Sequence, residues 1–182
     1  MQGASFDVSF KELPLEEWSG EGPHRVEFLY APAAGQPARS LSRIASGGEL
    51  SRVMLALKGV LGAADTIGTL VFDEIDAGIG GATALSVGAR LAELAREHQV
   101  IVVTHLAQVA AFADAQLVVR KQSTGDNVAT SVEGVEGESR EAEIARMLSG
   151  GDSGTSRAHA VELISEATRL RASGPIQTRQ GA

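Results

Sequence analysis

The sequence predicts an α/β domain, and three observations carry that prediction. Two short apolar runs, residues 67–72 and 100–103, each stop abruptly at polar residues, as strands buried in a parallel sheet do. Stretches with helical spacing follow each run, and alternating strands and helices build such a sheet. The first thirty residues differ, because residues 5–10 alternate apolar and polar one by one and residues 25–30 make a second such segment; this adds antiparallel strands on the N-terminal side.

Taken in order, residues 5–10 alternate as a half-buried strand, and residues 11–23 form a loop rich in Glu, Gly and Pro. Residues 25–30 make a second strand, paired with the first as an antiparallel ribbon. Pro32, Gly35 and Pro37 make residues 31–40 irregular. A helix follows Ser46, with Leu50, Val53, Met54, Leu57, Val60 and Leu61 on one face. Ser46 as N-cap and Glu49 three residues on fit a capping box. Residues 67–72 are a strand, 82–97 a helix, 100–103 a strand and 106–113 a short helix. Residues 116–120 and 128–132 form a second hairpin around a turn at Gly125-Asp-Asn127. Residues 141–148 and 155–170 are amphipathic helices. One domain therefore spans residues 1–172, and residues 173–182 are a loose tail with nothing to bury.

Composition narrows the function. The chain has 182 residues, 43% of them hydrophobic and only 4% aromatic, so aliphatic side chains supply the packing. It has no Cys, which excludes a disulfide scaffold and a thiolate metal site. No apolar run approaches the ~20 residues of a membrane helix, and the N-terminus lacks a basic-then-apolar signal pattern, so a cytoplasmic protein without a membrane partner is expected. A net charge of −7 argues against a surface coated with DNA. It leaves room for local basic patches at Arg39 and Arg43 and at Arg120-Lys121, which read equally as ordinary solvated charges.

Three stretches bear chemistry. In open sheets ligands sit beyond the C-terminal ends of the strands; Asp73-Glu74 and Thr104-His105 lie just past two strand ends and so share one rim. An apolar strand ending in two acids is a Walker-B-like arrangement. Neighbouring side chains point to opposite faces, which gives the acids different tasks: Asp73 to hold Mg²⁺ through water, Glu74 to activate the water that attacks a γ-phosphate. The same residues could instead be a strand running into an acidic helix cap. His105 can donate a hydrogen bond to a phosphate oxygen or simply end a strand. Ser46-Gly47-Gly48 opens a helix whose free N–H groups and dipole suit an anion, and it also reads as a cap alone. His24, His98 and His159 have no ligand-like spacing.

In this order, about 25 and 30 residues apart, the three stretches resemble the signature motif, Walker B strand and switch histidine of ABC-type ATPases. Transporter members usually place Pro after the catalytic Glu, whereas Ile75 stands here. The runs Ala45-Ser-Gly-Gly-Glu-Leu-Ser-Arg52, Val71-Phe-Asp-Glu-Ile-Asp-Ala-Gly-Ile-Gly-Gly81 and Val102-Val-Thr-His-Leu-Ala-Gln-Val-Ala110 resemble the RecN family of bacterial SMC-like double-strand-break repair proteins. The resemblance runs from about residue 5 to about residue 170. It departs from the wider class at Gly80, where the D-loop usually ends in Asp.

The resemblance implies the C-terminal lobe of a P-loop NTPase-like head at the end of a coiled coil. Two heads would sandwich two ATP molecules as a homodimer. Ser46, Gly47, Gly48 and Glu49 of the signature motif and Asp76 of the D-loop would serve the ATP of the opposite head. Asp73 would serve Mg²⁺, with Glu74 and His105 catalytic. The partners implied are an N-terminal Walker A lobe and DNA, as ends or single strands, in the cytoplasm at the nucleoid. No Gly-x-x-x-x-Gly-Lys-Ser/Thr occurs, and Lys11, Lys58 and Lys121 lack that context; the expectation is an isolated chain without turnover. Two other readings stand beside this one: a transporter-type ATPase subunit, and a non-catalytic module that dimerises or binds DNA.

Overall fold

The structure, a computed structural model, describes residues 3–44, 46–61, 66–124, 127–151 and 153–173. The chain divides into two units, residues 1–50 and 51–182.

In the first unit the predicted ribbon is present. β1 (Ser5–Glu12) pairs antiparallel with β2 (His24–Ala31), from Ser5↔Ala31 to Glu12↔His24. Alternation puts Phe6, Val8, Phe10, Val26 and Phe28 on one face, all exposed, with the Phe6 and Phe28 rings stacked at 5.7 Å. The connection is closed by Leu13 N–H donating to the Pro23 carbonyl at 2.8 Å and by the Trp18 indole donating to Leu13 at 3.1 Å. The region expected to be irregular holds a two-residue strand, β3 (Arg39–Ser40), paired with β2.

Helix α1 spans Gly47–Leu61. Its expected apolar face is buried only in part. Leu50, Met54, Val60 and Leu61 are exposed, whereas Val53 and Leu55 are buried. On the buried side α1 directs Ser51 and Arg52 to the loop that follows the next strand.

The second unit is built on two parallel strands, β4 (Thr69–Phe72) and β5 (Gln99–Val102), in register Phe72↔Val102. α2 (Gly81–Leu94) connects them. Leu70, Phe72 and Ile75 pack with Leu55, Ala84, Val87, Leu91, Leu94 and Val109 into one core. The strands were expected to be buried on both faces. Only one face is covered: Val71, Ile101 and Val103 stand exposed on the other.

Beyond β5 lies a helical layer. The expected helix over 106–113 is a single turn, α3 (Ala107–Ala110), whose trailing carbonyls at Ala110, Ala111 and Ala113 accept from the Arg140 guanidinium. α4 (Gly137–Ser149) and α5 (Gly154–Ala172) pack on it through small residues: Ala107, Ala110, Ala145 and Ala160 form one buried cluster with Ile144. β6 (Gln116–Thr124) and β7 (Asn127–Val135) form the second hairpin. Its predicted turn falls partly on residues 125–126, and the predicted tail on 174–182, both outside the described residues. Among the described residues no helix is long and apolar enough to cross a membrane.

Candidate functional site

The parallel register carries Asp73-Glu74 and Thr104-His105 off the same end of the β4–β5 sheet. Val103 N–H still donates to the Phe72 carbonyl at 3.0 Å, so the strands stay in step up to the rim. Asp73 continues the alternation of β4 onto the exposed face. One of its oxygens accepts the backbone N–H of Glu74 at 2.9 Å.

Glu74 then leaves the strand geometry. Its φ is 56°, and among the described residues it is the one non-glycine with positive φ. Left-handed backbone costs an L-residue about 1–2 kcal/mol, so the surroundings must impose it. They do so on both sides. The Ser51 hydroxyl donates to the Asp73 carbonyl at 3.0 Å. The Arg52 guanidinium donates to the carbonyls of Ile75 and Ala77, at 3.0 and 2.9 Å. The Ile75 side chain is fully buried in the core and anchors the loop from below. The Glu74 carboxylate is left exposed at the rim.

Asp76 turns the other way. Its side chain is 4% exposed, and one oxygen, Oδ2, accepts from the Thr104 hydroxyl at 2.5 Å and the His105 N–H at 3.0 Å; the ring Nδ1 of His105 lies 3.1 Å from the same oxygen. Burial by itself would raise this carboxyl. The Thr104 hydroxyl, the His105 N–H and the His105 ring outweigh it and hold the group below the usual carboxylate value. The His105 ring is 74% exposed.

The structure thus brings together Asp73 with Glu74, and Asp76 with His105. Ser46, Gly47, Gly48 and Glu49 belong to the first unit. There Glu49 N–H donates to the Ser46 hydroxyl at 3.4 Å and Leu50 N–H to the Ser46 carbonyl at 3.1 Å, so Ser46 does cap α1. Ser46 and Gly47 are exposed, and Gly48 is buried. Gly80 is the N-cap of α2 and supplies no side chain to it.

Sequence reasoning gave no role to Ser51, Arg52 and Thr104. For the first two a signal existed: two polar residues follow one another directly before the buried Val53. Polar residues on the inward side of a helix need partners there.

No protein-family model matches the chain. Over 147 residues it is 56% identical to the DNA repair protein RecN of Treponema pallidum, covering 80% of this chain and 26% of that protein. Against RecN of Mycobacterium tuberculosis the identity is 54% over 159 residues, covering 84% of this chain and 26% of the relative. Against RecN of Bacillus subtilis it is 34% over 188 residues, covering 96% and 33%. The chain spans about a quarter to a third of the length of these curated relatives. Among solved structures, an Smc head domain with a coiled coil and joint from Pyrococcus yayanosii superposes with a TM-score of 0.55 at 24% identity. It covers 91% of this chain and 26% of that one, and the likeness establishes the head fold.

Proposed function

The chain belongs to the RecN family, and on that footing we propose that it is the C-terminal lobe of an ATPase head acting in double-strand-break repair. The observation that carries the proposal is the rim: an exposed Glu74 in imposed left-handed backbone, beside Asp73 and across from a histidine held from behind. Strained, exposed acids at strand ends are where enzymes keep reactive groups.

In this reading Glu74 takes the proton of the water that attacks the γ-phosphate, and His105 reaches that phosphate from the neighbouring strand. Asp73 offers a single hard oxygen ligand with one atom already engaged by Glu74 N–H. That suits a carboxylate facing a metal through water; among the described residues no cluster of three possible ligands exists to form a closed metal cage. Mg²⁺ carried in with ATP would neutralise charge on the β- and γ-phosphates. Ser46, Gly47, Gly48 and Glu49 meet the ATP of a second head, so ATP joins two heads and hydrolysis releases them. The Walker A residues come from another part of the protein. The open face at Val71, Ile101 and Val103 supplies apolar surface for such a lobe to cover. DNA, as ends or single strands, is the substrate of the whole assembly, in the cytoplasm at the nucleoid.

The test is ATP turnover after this chain is combined with a lobe carrying a P-loop. Glu74→Gln should retain ATP binding and lose turnover by ~10²-fold or more, the usual effect of removing a positioned base. Associated lobes whose turnover is indifferent to Glu74→Gln would reduce the chain to a dimerisation or DNA-binding module.

A further inference from the structure

The Asp76 carboxylate faces inward, where the D-loop role implied by the family resemblance would have it serve a nucleotide on another subunit. We infer that Asp76 is a positioning residue for His105: its buried oxygen receives the Nδ1–H of the ring and so turns Nε2 out to the rim. The inference rests on the assignment of His105 to the nucleotide site.

Asp76 Oδ2 already accepts from Thr104 Oγ1 and from His105 N. An ionised carboxylate offers only lone pairs, so the ring atom 3.1 Å away must carry a proton. An unprotonated Nδ1 would set lone pair against lone pair in a buried place. The same oxygen therefore fixes the His105 backbone through its N–H and faces the ring at Nδ1. Thr104 completes the frame, because its hydroxyl oxygen accepts from Leu106 N–H at 3.0 Å while donating to Asp76.

The consequence lies at Nε2. With the single proton of a neutral ring on Nδ1, Nε2 is an acceptor. It becomes a donor only when the ring carries a second proton. What His105 offers a phosphate oxygen is thus set by a residue on a different strand-end loop, 29 positions earlier in the chain. The same loop holds Glu74, two residues before Asp76. One rigid segment, tied to α1 by Ser51 and Arg52, therefore aims both groups.

The test has two readouts. In the wild-type chain, nitrogen NMR of ¹⁵N-labelled histidines should find the neutral His105 ring protonated at Nδ1. Asp76→Ala should abolish that preference. Asp76→Asn, whose amide oxygen can receive the same donors, should retain it. In the assembled ATPase, Asp76→Ala should lower kcat by ~10-fold or more with little change in KM, the scale on which outer partners of a functional histidine act. It should add nothing to His105→Ala, and Asp76→Asn should recover part of the loss. A wild-type ring protonated at Nε2 would overturn the inference without any variant having to fold. So would normal turnover in Asp76→Ala beside impaired turnover in His105→Ala. If His105→Ala and Glu74→Gln both turn over ATP normally, the ATPase reading has failed instead, and the NMR result still reports on the dyad by itself.

Discussion

The helical layer and the rim loop of the second unit are held by different means. Around α3, contact is mainly carbon against carbon, with the Arg140 guanidinium closing the trailing carbonyls. Ala107, Ala110, Ala145 and Ala160 are nearly or fully buried, and Gly88 of α2 lies so close to Phe112 that a Cβ there would run into the ring. Residues 73–77 have one apolar anchor, Ile75, and otherwise hang on directional bonds from Ser51, Arg52, Thr104 and His105. Close packing fixes a position only by excluding everything else from it. Hydrogen bonds can fix a segment while leaving one side bare, which a loop presenting Asp73 and Glu74 to water requires.

The packed side is most sensitive at Gly88. Gly88→Ala should destabilise the chain by about 2 kcal/mol, the usual effect of overfilling a packed site, because the new methyl meets Phe112 and, at 3.1 Å, the Gln108 carbonyl. An unchanged melting temperature would mean that α2 and α3 do not approach as described. Next comes Glu143, a polar tie inside the helical side. It is buried and accepts two bonds from Arg146, at 2.9 and 2.6 Å, with Arg120 3.8 Å away. The Arg146 hydrogen bonds hold its carboxyl below the usual value against the opposing effect of burial, and the Arg146 and Arg120 charges add to them. A carboxyl lowered by folding stabilises fully above its unfolded value, near ~4.3, and that contribution is lost as pH falls through the folded value. Glu143→Gln should therefore cost about 1.5 kcal/mol at neutral pH, the lower range for charged hydrogen bonds, and the two stability curves should converge in acid. Curves that stay parallel down to pH 2 would remove Glu143 as the cause.

These two means of support were not equally legible. Strand and helix order could be read because the apolar period changes along the chain, and Asp73, Glu74 and His105 stood out as polar residues closing apolar runs. The Asp76–His105 pair could not be read. It depends on β4 and β5 lying parallel with Phe72 opposite Val102, and nothing near either residue encodes that register. α1 misled for a related reason. Periodicity finds the apolar stripe of Leu50, Val53, Met54, Leu57, Val60 and Leu61, of which only Val53 is buried, and the side turned inward is the one whose Ser51 and Arg52 satisfy the loop carbonyls. β3 has two residues and pairs only at its own positions, too few for any alternation to register.

The smallest expected effect sharpens the contrast most. At φ 56° the Glu74 backbone is one that glycine adopts freely and other residues resist. Glu74→Gly should relieve about 1 kcal/mol of strain, part of which the greater freedom of glycine in the unfolded chain takes back, leaving a net gain of ~0.5 kcal/mol. Glu74→Ala is the control, since it removes the same carboxylate and keeps the strain. Glycine more stable than alanine by ~0.5 kcal/mol, with turnover lost in both, would mean that the rim gives up stability to aim a carboxylate. Equal stabilities would mean that the ties from Ser51 and Arg52 hold the loop without forcing it. The reason for a glutamate at this position would then lie wholly in its charge.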